Sequence, residues 1–310
     1  MTDRSTTIDA AAASRAPQRK PLTPQQRLEV WGARLLFALF RALPVDAASG
    51  VGGWIARTVG PRLGVTKRAR INLRRAMPEL SEADLDRIVT GMWDNLGRVV
   101  AEYPHLTELR VYEPGGRVET VGIDLVDPLI AAGKRIIFFS AHYGNWEVTS
   151  AAATQKGLSV AQIYRAANNP LIDDLIAETR GAVGSELIPK GAVAARRAIE
   201  ALKEGRHLAM LVDQKMNDGI PVPFFGRDAM TAPALAQLAL RFDCAVVPAR
   251  VERVGGARFR LVVSPPIEIE RTGDRHADTL ALMTRINREI EGWIRARPEL
   301  WFWLHRRWPD

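Results

Sequence analysis

Apolar positions recur with a helical period over residues 22–110, which predicts that this part of the chain is helical throughout. Thr23 and Gln26, at the start of the first apolar stretch, are typical of a capping box. Ser81 marks a second helix start in the same way. Pro104 is expected to end or kink the helix that begins after Ser81.

After residue 116 the pattern changes to short apolar runs that alternate with helical stretches. The runs predict strands at 118–121, 136–139, 160–163, 207–212, 245–251 and 259–263. The other stretches predict helices at 124–132, 145–155, 170–183, 193–204, 232–242 and 275–297. This alternation is typical of an α/β fold with a mainly parallel central sheet flanked by helices.

Composition agrees with a folded protein, because 47% of the residues are hydrophobic and 25% are charged. Residues 1–21 carry no secretory signal and are expected to form a disordered extension. We predict that residues 22–110 form a helical, membrane-associated region and that residues 111–310 form the α/β core.

The net charge of +8 favours anionic partners. Residues 57–75 contain seven basic side chains and no acidic one, which fits either a solvated helix face or a surface for phosphate or anionic membrane. We find no nucleic-acid-binding motif and no Cys/His pair with metal spacing in the sequence, so neither nucleic acid nor a metal is expected.

The first predicted helix is amphipathic. Arg27, Arg34 and Arg41 recur every seven residues and share one face, while bulky apolar residues such as Trp31 occupy the remainder. The arginines interrupt the apolar run, so a bilayer-spanning helix is not expected. Two interpretations remain: an interfacial helix that lies on a membrane, and an ordinary helix packed on the core.

The predicted strand at 136–139 leads into the segment His142-Tyr143-Gly144-Asn145-Trp146-Glu147. An imidazole at the carboxyl end of a parallel strand lies where such sheets bind ligands. We predict that His142 is a general base and that Glu147, in the first helical turn, orients its ring. Asn145 is expected to cap a helix that begins at Trp146. Asp213, which also follows a strand, is expected either to hold His142 or Arg165 or to cap the next turn.

This segment matches the His-x4-Asp/Glu motif of the glycerolipid-type acyltransferases, and the wider sequence resembles the late (lauroyl/myristoyl) acyltransferases of lipid A biosynthesis. The matching blocks are His142 to Glu147, Tyr164-Arg165 with Asn169-Pro170, Asp213-Gln214, Pro223-Phe224-Phe225-Gly226 with Thr231-Ala232, and the Trp-rich end from Pro298 to Trp308. They extend over most of the chain from about residue 25 to residue 308.

The resemblance implies transfer of a fatty acyl group from acyl carrier protein, or from acyl-coenzyme A, to a hydroxyl of a phosphorylated lipid A precursor. The chemistry of His142 and Glu147 requires no covalent enzyme intermediate, and no cofactor is expected. Members of this family often begin with a more continuous hydrophobic helix than residues 31–43 provide, so this departure favours peripheral or monotopic attachment on the cytoplasmic side of the inner membrane. Arg165 would stabilise the oxyanion or a substrate phosphate. Phe224 and Phe225 would line the acyl groove, although a pair of core phenylalanines is the alternative.

Other functions remain open from the sequence. The same chemistry could act on a phosphatidylinositol mannoside, a glycerol phosphate or an ornithine lipid. A basic protein that binds membranes without catalysis is the alternative from a different class, but such a protein has no need of His142 beside a carboxylate.

Overall fold

The computed structural model describes residues 23–167, 169–184 and 186–309, so the prediction for residues 1–21 lies outside it. Thr23 and Gln26 form the predicted capping box at the start of α1. Ser81 and Asp84 form a second one at the start of α4. Four helices cover the N-terminal part of the chain: α1 (Pro24–Arg41), α2 (Val45–Val59), α3 (Thr66–Ala76) and α4 (Glu82–Glu102).

The predicted helical character of this region is confirmed. As predicted, the α-helix that follows Ser81 stops just before Pro104, and the chain continues as the 3-10 helix Tyr103–Glu108. Proline lacks the N–H that an α-helix needs at this point, which accounts for the change.

A seven-stranded sheet forms the centre of the protein, in the order β1-β9-β8-β2-β5-β3-β4. All neighbouring pairs are parallel except β8 and β9, so the predicted mainly parallel sheet is confirmed. Its strands are β1 (Val118–Val121), β2 (Ile136–Ser140), β3 (Val160–Tyr164), β4 (Glu186–Pro189), β5 (His207–Leu211), β8 (Ala245–Gly255) and β9 (Arg258–Val263). A separate antiparallel hairpin consists of β6 (Ile220–Phe224) and β7 (Arg227–Thr231).

Six further helices flank the sheet, close to the positions that the sequence predicts. They are α5 (Asp127–Ala131), α6 (Val148–Gln155), α7 (Pro170–Ala182), α8 (Ala192–Lys203), α9 (Ala234–Phe242) and α10 (Arg275–Ala296). The sequence predictions missed β4 and the β6–β7 hairpin. Pro221 and Pro223 alternate along β6, and prolines argue against a strand unless it lies at an edge, as this one does.

Two of the N-terminal helices share a hydrophobic core with the sheet. Leu73 of α3 and Ile88 of α4 belong to the same buried cluster as Phe139 of β2, Met210 of β5 and Trp301 near the C-terminus. This packing fixes α3 and α4 relative to the strands, whereas Phe40 of α1 and Ala48 of α2 pack in a separate small cluster with Ala101 of α4.

A buried ion pair joins α4 to β8. Arg253 donates to both carboxylate oxygens of Glu102, with a distance of 2.9 Å from Nη2 to Oε2. Ser49 on α2 and Asn145 in the loop after β2 also donate to this carboxylate, at 2.6 and 2.8 Å. Asn95 accepts from Arg253 at 3.1 Å. Two helices, a strand and the loop of the predicted site thus meet at one carboxylate.

Apolar side chains are exposed along α1 and α2, where Trp31 is 75% and Trp54 is 58% exposed. The same surface includes other large exposed side chains, namely Leu28, Leu35, Leu39, Ile55 and Val59. Among the described residues, no helix combines the length and apolar character that crossing a bilayer requires.

Candidate active site

Two neighbouring parallel strands bring His142 and Asp213 together. His142 follows β2 and Asp213 follows β5, and these strands pair in parallel, so their carboxyl ends lie side by side. The His142 backbone N–H donates to Asp213 Oδ2 at 2.9 Å, and the imidazole Nδ1 lies 2.9 Å from Oδ1. One carboxylate therefore fixes both the backbone and the ring of the histidine.

The Asp213 carboxylate is fully enclosed, and Trp301 Nε1 also donates to it at 2.8 Å. Burial opposes its charge, but the His142 and His305 imidazoles and the hydrogen bonds from His142 hold the pKa of Asp213 well below its usual range. An ionised Asp213 favours the tautomer of His142 that carries its proton on Nδ1. The other ring nitrogen, Nε2, is then the basic atom.

Glu147 does not occupy its predicted place. Its buried carboxylate accepts two hydrogen bonds from Arg180, at 2.9 and 2.6 Å, and one from Trp146 Nε1 at 2.9 Å. It makes no hydrogen bond to His142 among the described residues, so the predicted pairing with the imidazole is wrong and Asp213 takes that place. The cause is local: α6 begins only at Val148, and the preceding turn directs Glu147 towards α7.

Asn145 is not the cap of a helix that begins at Trp146, because α6 starts two residues later. Its Oδ1 accepts from the Glu147 backbone N–H at 3.3 Å, and its amide group donates to Glu102. Asn145 therefore anchors the loop to α4, which supports the site without contacting the imidazole.

Gly144 allows this loop to approach β8 closely. It has a φ of +58°, and a Cβ at this position would lie 1.8 Å from the Val251 carbonyl oxygen. Its N–H donates to the Leu300 carbonyl at 2.9 Å, and its carbonyl accepts from the Asn95 side chain at 3.0 Å. Only glycine fits this position, since any side chain would displace the loop that carries His142.

His142 lines a cleft of about 310 Å³ together with Arg165, Lys190 and Gln214. Gln214 Nε2 lies 3.3 Å from His142 Nε2, which matches an amide N–H that donates to the basic nitrogen. Arg165 follows β3 and Lys190 follows β4, so both cations come from the same edge of the sheet as His142. The structure thus brings Arg165, Asp213 and His142 to one site, as predicted.

A larger cavity of about 1070 Å³ adjoins this cleft and shares Arg165, Lys190 and Gln214 with it. Its apolar wall comes from two helices and two strands: Ala194 and Ala198 of α8, Leu238 of α9, Ile163 of β3 and Met210 of β5. Small side chains on α8 leave room beside the sheet, so the space suits a long apolar ligand.

Phe224 and Phe225 do not line this cavity. Phe224 is 1% and Phe225 is 5% exposed, and their rings pack on each other at 4.9 Å. Trp301 and Trp308 cover Phe224 at 5.9 and 5.6 Å. The prediction that they form the acyl groove is therefore wrong, and they belong to the core beneath the C-terminal segment, which was the stated alternative.

The sequence model of a family described as "Bacterial lipid A biosynthesis acyltransferase" matches residues 17–310. The chain belongs to this family. A lipid A biosynthesis myristoyltransferase of Escherichia coli (strain K12) is 25% identical over 88% of this chain and 85% of its own length. A lauroyltransferase of the same pathway and organism is 28% identical over 78% and 79%. A phosphatidylinositol mannoside acyltransferase of Mycobacterium tuberculosis (strain ATCC 25618 / H37Rv) is 24% identical over 90% and 88%.

The resemblance found in the sequence is thus confirmed, and the protein is an enzyme that transfers acyl groups. Sequence reasoning missed two residues that this acyltransferase places at the site. Lys190 follows a strand that was not predicted, and His305 lies in a Trp-rich end that gave no indication of its direction.

His305 contacts the ring of His142, with the two centroids 4.9 Å apart. Its Nε2 is buried and has no hydrogen-bond partner among the described residues. His142, Asp213 and His305 each offer a ligand atom within 4.8 Å of the others, which is the spacing of a possible metal group. Both Asp213 oxygens are already occupied by His142 and Trp301, so this donor set shows no free carboxylate for a metal.

Burial lowers the pKa of His305 from 6.5 to about 3, with a smaller contribution from the neighbouring His142 imidazole. Below pH 6.5 the unfolded chain therefore binds a proton at His305 that the folded acyltransferase does not bind until pH 3, so stability falls as the pH falls through this window. From pH 7 to pH 5 this group should cost about 2 kcal/mol of unfolding free energy. In His305→Gln, the loss of stability over this interval should be smaller by about that amount.

Urea denaturation at both pH values measures the difference. The control is His276→Gln, an exposed histidine on α10, which should keep the pH dependence of the parent. Equal losses in His305→Gln and the parent would show that His305 is not kept neutral in the folded protein.

Proposed function

We propose that this enzyme transfers a fatty acyl group from a thioester donor to a hydroxyl of a glycolipid acceptor. The first candidate acceptor is a lipid A precursor. The observation that carries the proposal is the His142–Asp213 pair beside a cavity of about 1070 Å³ that is lined by apolar and cationic side chains. A base, an apolar site and cations are the three requirements for joining a fatty acyl thioester to an anionic lipid alcohol.

His142 Nε2 removes the proton from the acceptor hydroxyl, because Nδ1 is engaged by Asp213. The hydroxyl oxygen attacks the thioester carbonyl and forms the new C–O bond. When the tetrahedral intermediate collapses, the C–S bond breaks and the thiolate takes the proton from His142. The products are an ester and a free thiol, His142 returns to its neutral form, and no covalent enzyme intermediate is required.

Arg165 and Lys190 stabilise the negative charge that develops on the carbonyl oxygen. Burial lowers the pKa of Lys190, and the neighbouring Arg165 lowers it further, because both disfavour the charged ammonium; the charge of Asp213 opposes them. Glu147 acts indirectly. Its ion pair with Arg180 holds the loop that carries His142 against α7.

The donor we propose is an acyl carrier protein, with acyl-coenzyme A as the alternative. Lys215, Arg241 and Arg306 line the larger cavity in addition to Arg165 and Lys190. A rim of this charge favours the encounter with an acidic carrier protein or with the phosphates of coenzyme A.

A phosphatidylinositol mannoside is the second candidate acceptor. It is favoured by the mycobacterial relative, whose name specifies this lipid and which matches 90% of the chain. The lipid A relatives cover the chain to a similar extent, so an acceptor assay has to distinguish the two.

The assay incubates the purified protein with a radiolabelled acyl thioester and one acceptor at a time, and mass spectrometry identifies the product. We expect one added acyl chain on a lipid A precursor. A phosphatidylinositol mannoside, a glycerol phosphate and an ornithine lipid are tested in parallel, and preference for any of these would replace the first acceptor. If only free fatty acid forms with every acceptor, the proposed transfer reaction is wrong.

Variants of the two carboxylates distinguish their roles. His142→Ala should lower kcat by at least ~10², and Asp213→Asn should lower it by a similar factor because the ring loses its orienting charge. Glu147→Gln should have a smaller effect on kcat and a larger one on thermal stability, since it leaves Arg180 buried without its partner.

Asp228→Asn, an exposed residue on β7, is the control for these changes and should match the parent. Near-normal turnover of folded Asp213→Asn, or a Glu147→Gln defect as large as that of His142→Ala, would contradict the assignment.

We also propose that α1 and α2 attach the enzyme peripherally to the cytoplasmic side of the inner membrane. Support comes from Trp31, Leu35 and Trp54, which are 75%, 62% and 58% exposed on these two helices. Large exposed apolar side chains with flanking arginines are typical of helices that lie in the headgroup layer.

Trp31→Ser/Leu35→Ser should weaken binding to anionic phospholipid vesicles at least ~10-fold, because two apolar side chains no longer enter the bilayer. The control, Val193→Ser/Val254→Ser, removes two exposed apolar side chains of α8 and β8. Vesicle flotation measures the binding of both double variants to the vesicles. Equal vesicle binding by the two double variants would exclude α1 as the membrane contact.

A further inference from the structure

A second concave surface, here called the α3 cleft, lies between α3 and the C-terminal segment. It has a volume of about 300 Å³, and four cationic side chains line it: Lys67, Arg68, Arg75 and Arg306. No acidic side chain is among the described residues that line it. It is separate from the cleft that His142 lines.

The cations of the α3 cleft differ from their neighbours on the same helix. Arg70 and Arg74 point away from the cleft and pair with Glu82, at 2.8 Å each. None of the four cleft cations forms an ion pair within residues 23–167, 169–184 and 186–309; Arg68 only donates to the Leu304 carbonyl, at 3.3 Å. Two cations of α3 are thus neutralised by Glu82, and those that line the α3 cleft are left unpaired.

Four like charges in one cleft repel each other, and an anion that binds all of them removes this cost. A phosphate monoester fits the chemistry, because its three terminal oxygens accept several charge-assisted hydrogen bonds from arginine and lysine. A carboxylate of the protein would serve the same purpose, and the structure supplies none there.

The α3 cleft adjoins the proposed acyl site. Arg68 and Arg306 line both the α3 cleft and the larger cavity. Arg306 directly follows His305, whose ring contacts His142. One ligand can therefore extend from the α3 cleft into the cavity. Val65 and Ile71, which also line the cleft, are 39% and 45% exposed, so an apolar margin surrounds the charges.

We infer that the α3 cleft binds a phosphate group of the glycolipid acceptor while the acceptor hydroxyl lies at His142. This inference rests on the proposed function and adds to it a recognition site for the head of the acceptor. The α3 cleft binds the phosphate and the larger cavity holds the apolar chains. The distance from the α3 cleft to His142 then determines which hydroxyl of the acceptor reaches the base.

The test compares a phosphorylated lipid A precursor with the same lipid after phosphatase treatment, both in neutral detergent micelles. For the parent enzyme, KM should be at least ~10-fold higher for the phosphatase-treated lipid, because charge-assisted hydrogen bonds are lost. Lys67→Gln/Arg75→Gln should raise KM for the phosphorylated lipid to a similar degree, and should leave KM for the treated lipid as in the parent.

Arg70→Gln/Arg74→Gln is the matched control, since it removes the same charge from the same helix outside the cleft. It should keep the parent KM for both lipids. Equal effects of the two double variants would overturn the inference in favour of general electrostatic attraction. Equal KM values of the parent enzyme for the phosphorylated and the phosphatase-treated lipid would overturn the inference as well.

Vesicle flotation separates the acceptor phosphate from membrane phosphate. If Lys67→Gln/Arg75→Gln loses binding to phosphatidylglycerol vesicles but keeps its KM in micelles, the cleft binds membrane lipid and the inference is wrong. Failure of the parent enzyme to acylate any lipid would instead refute the proposed function, which keeps the two failures distinct.

Discussion

The buried ion pair between Glu102 and Arg253 is the constraint on which the arrangement of the site depends. Two charges inside the protein are tolerated only if each is matched, and here Ser49 and Asn145 complete the shell of the Glu102 carboxylate. Because Asn145 belongs to the histidine loop, the requirement to satisfy Glu102 also fixes the position of that loop. The position of His142 in this sense depends on the burial of two charges that it does not contact.

Two carboxylates divide the work of positioning His142, whereas the sequence motif indicated that Glu147 alone would do so. Asp213 holds the imidazole, and Glu147 holds the loop through Arg180. Both carboxylates are buried, and each is satisfied by donors from a different element: Asp213 by Trp301 and Glu147 by α7. In this protein the motif spacing therefore corresponds to a loop of defined shape rather than to a direct contact between its first and last residues.

The sequence was sufficient for features that depend on local periodicity. The parallel strands other than β4, and the helices between them, were predicted within a few residues, and His142 was placed correctly at the end of β2. Prediction was less exact where partners are distant in the chain. Asp213 lies 71 residues from His142. Holding His142 was only one of the roles that the sequence left open for it, because no local pattern indicates that β2 and β5 are neighbours. Phe224 was misplaced for a related reason, because burial beneath Trp308 depends on how the chain end folds back.

The hydrogen bond from Trp301 to Asp213 has a consequence for biosynthesis. Its donor lies 88 residues beyond the carboxylate, in the segment that follows α10. During translation, the strands that precede His142 and Asp213 are therefore made well before this indole. Until synthesis has passed Trp301, a nascent chain on the ribosome lacks one of the hydrogen-bond donors to the Asp213 carboxylate.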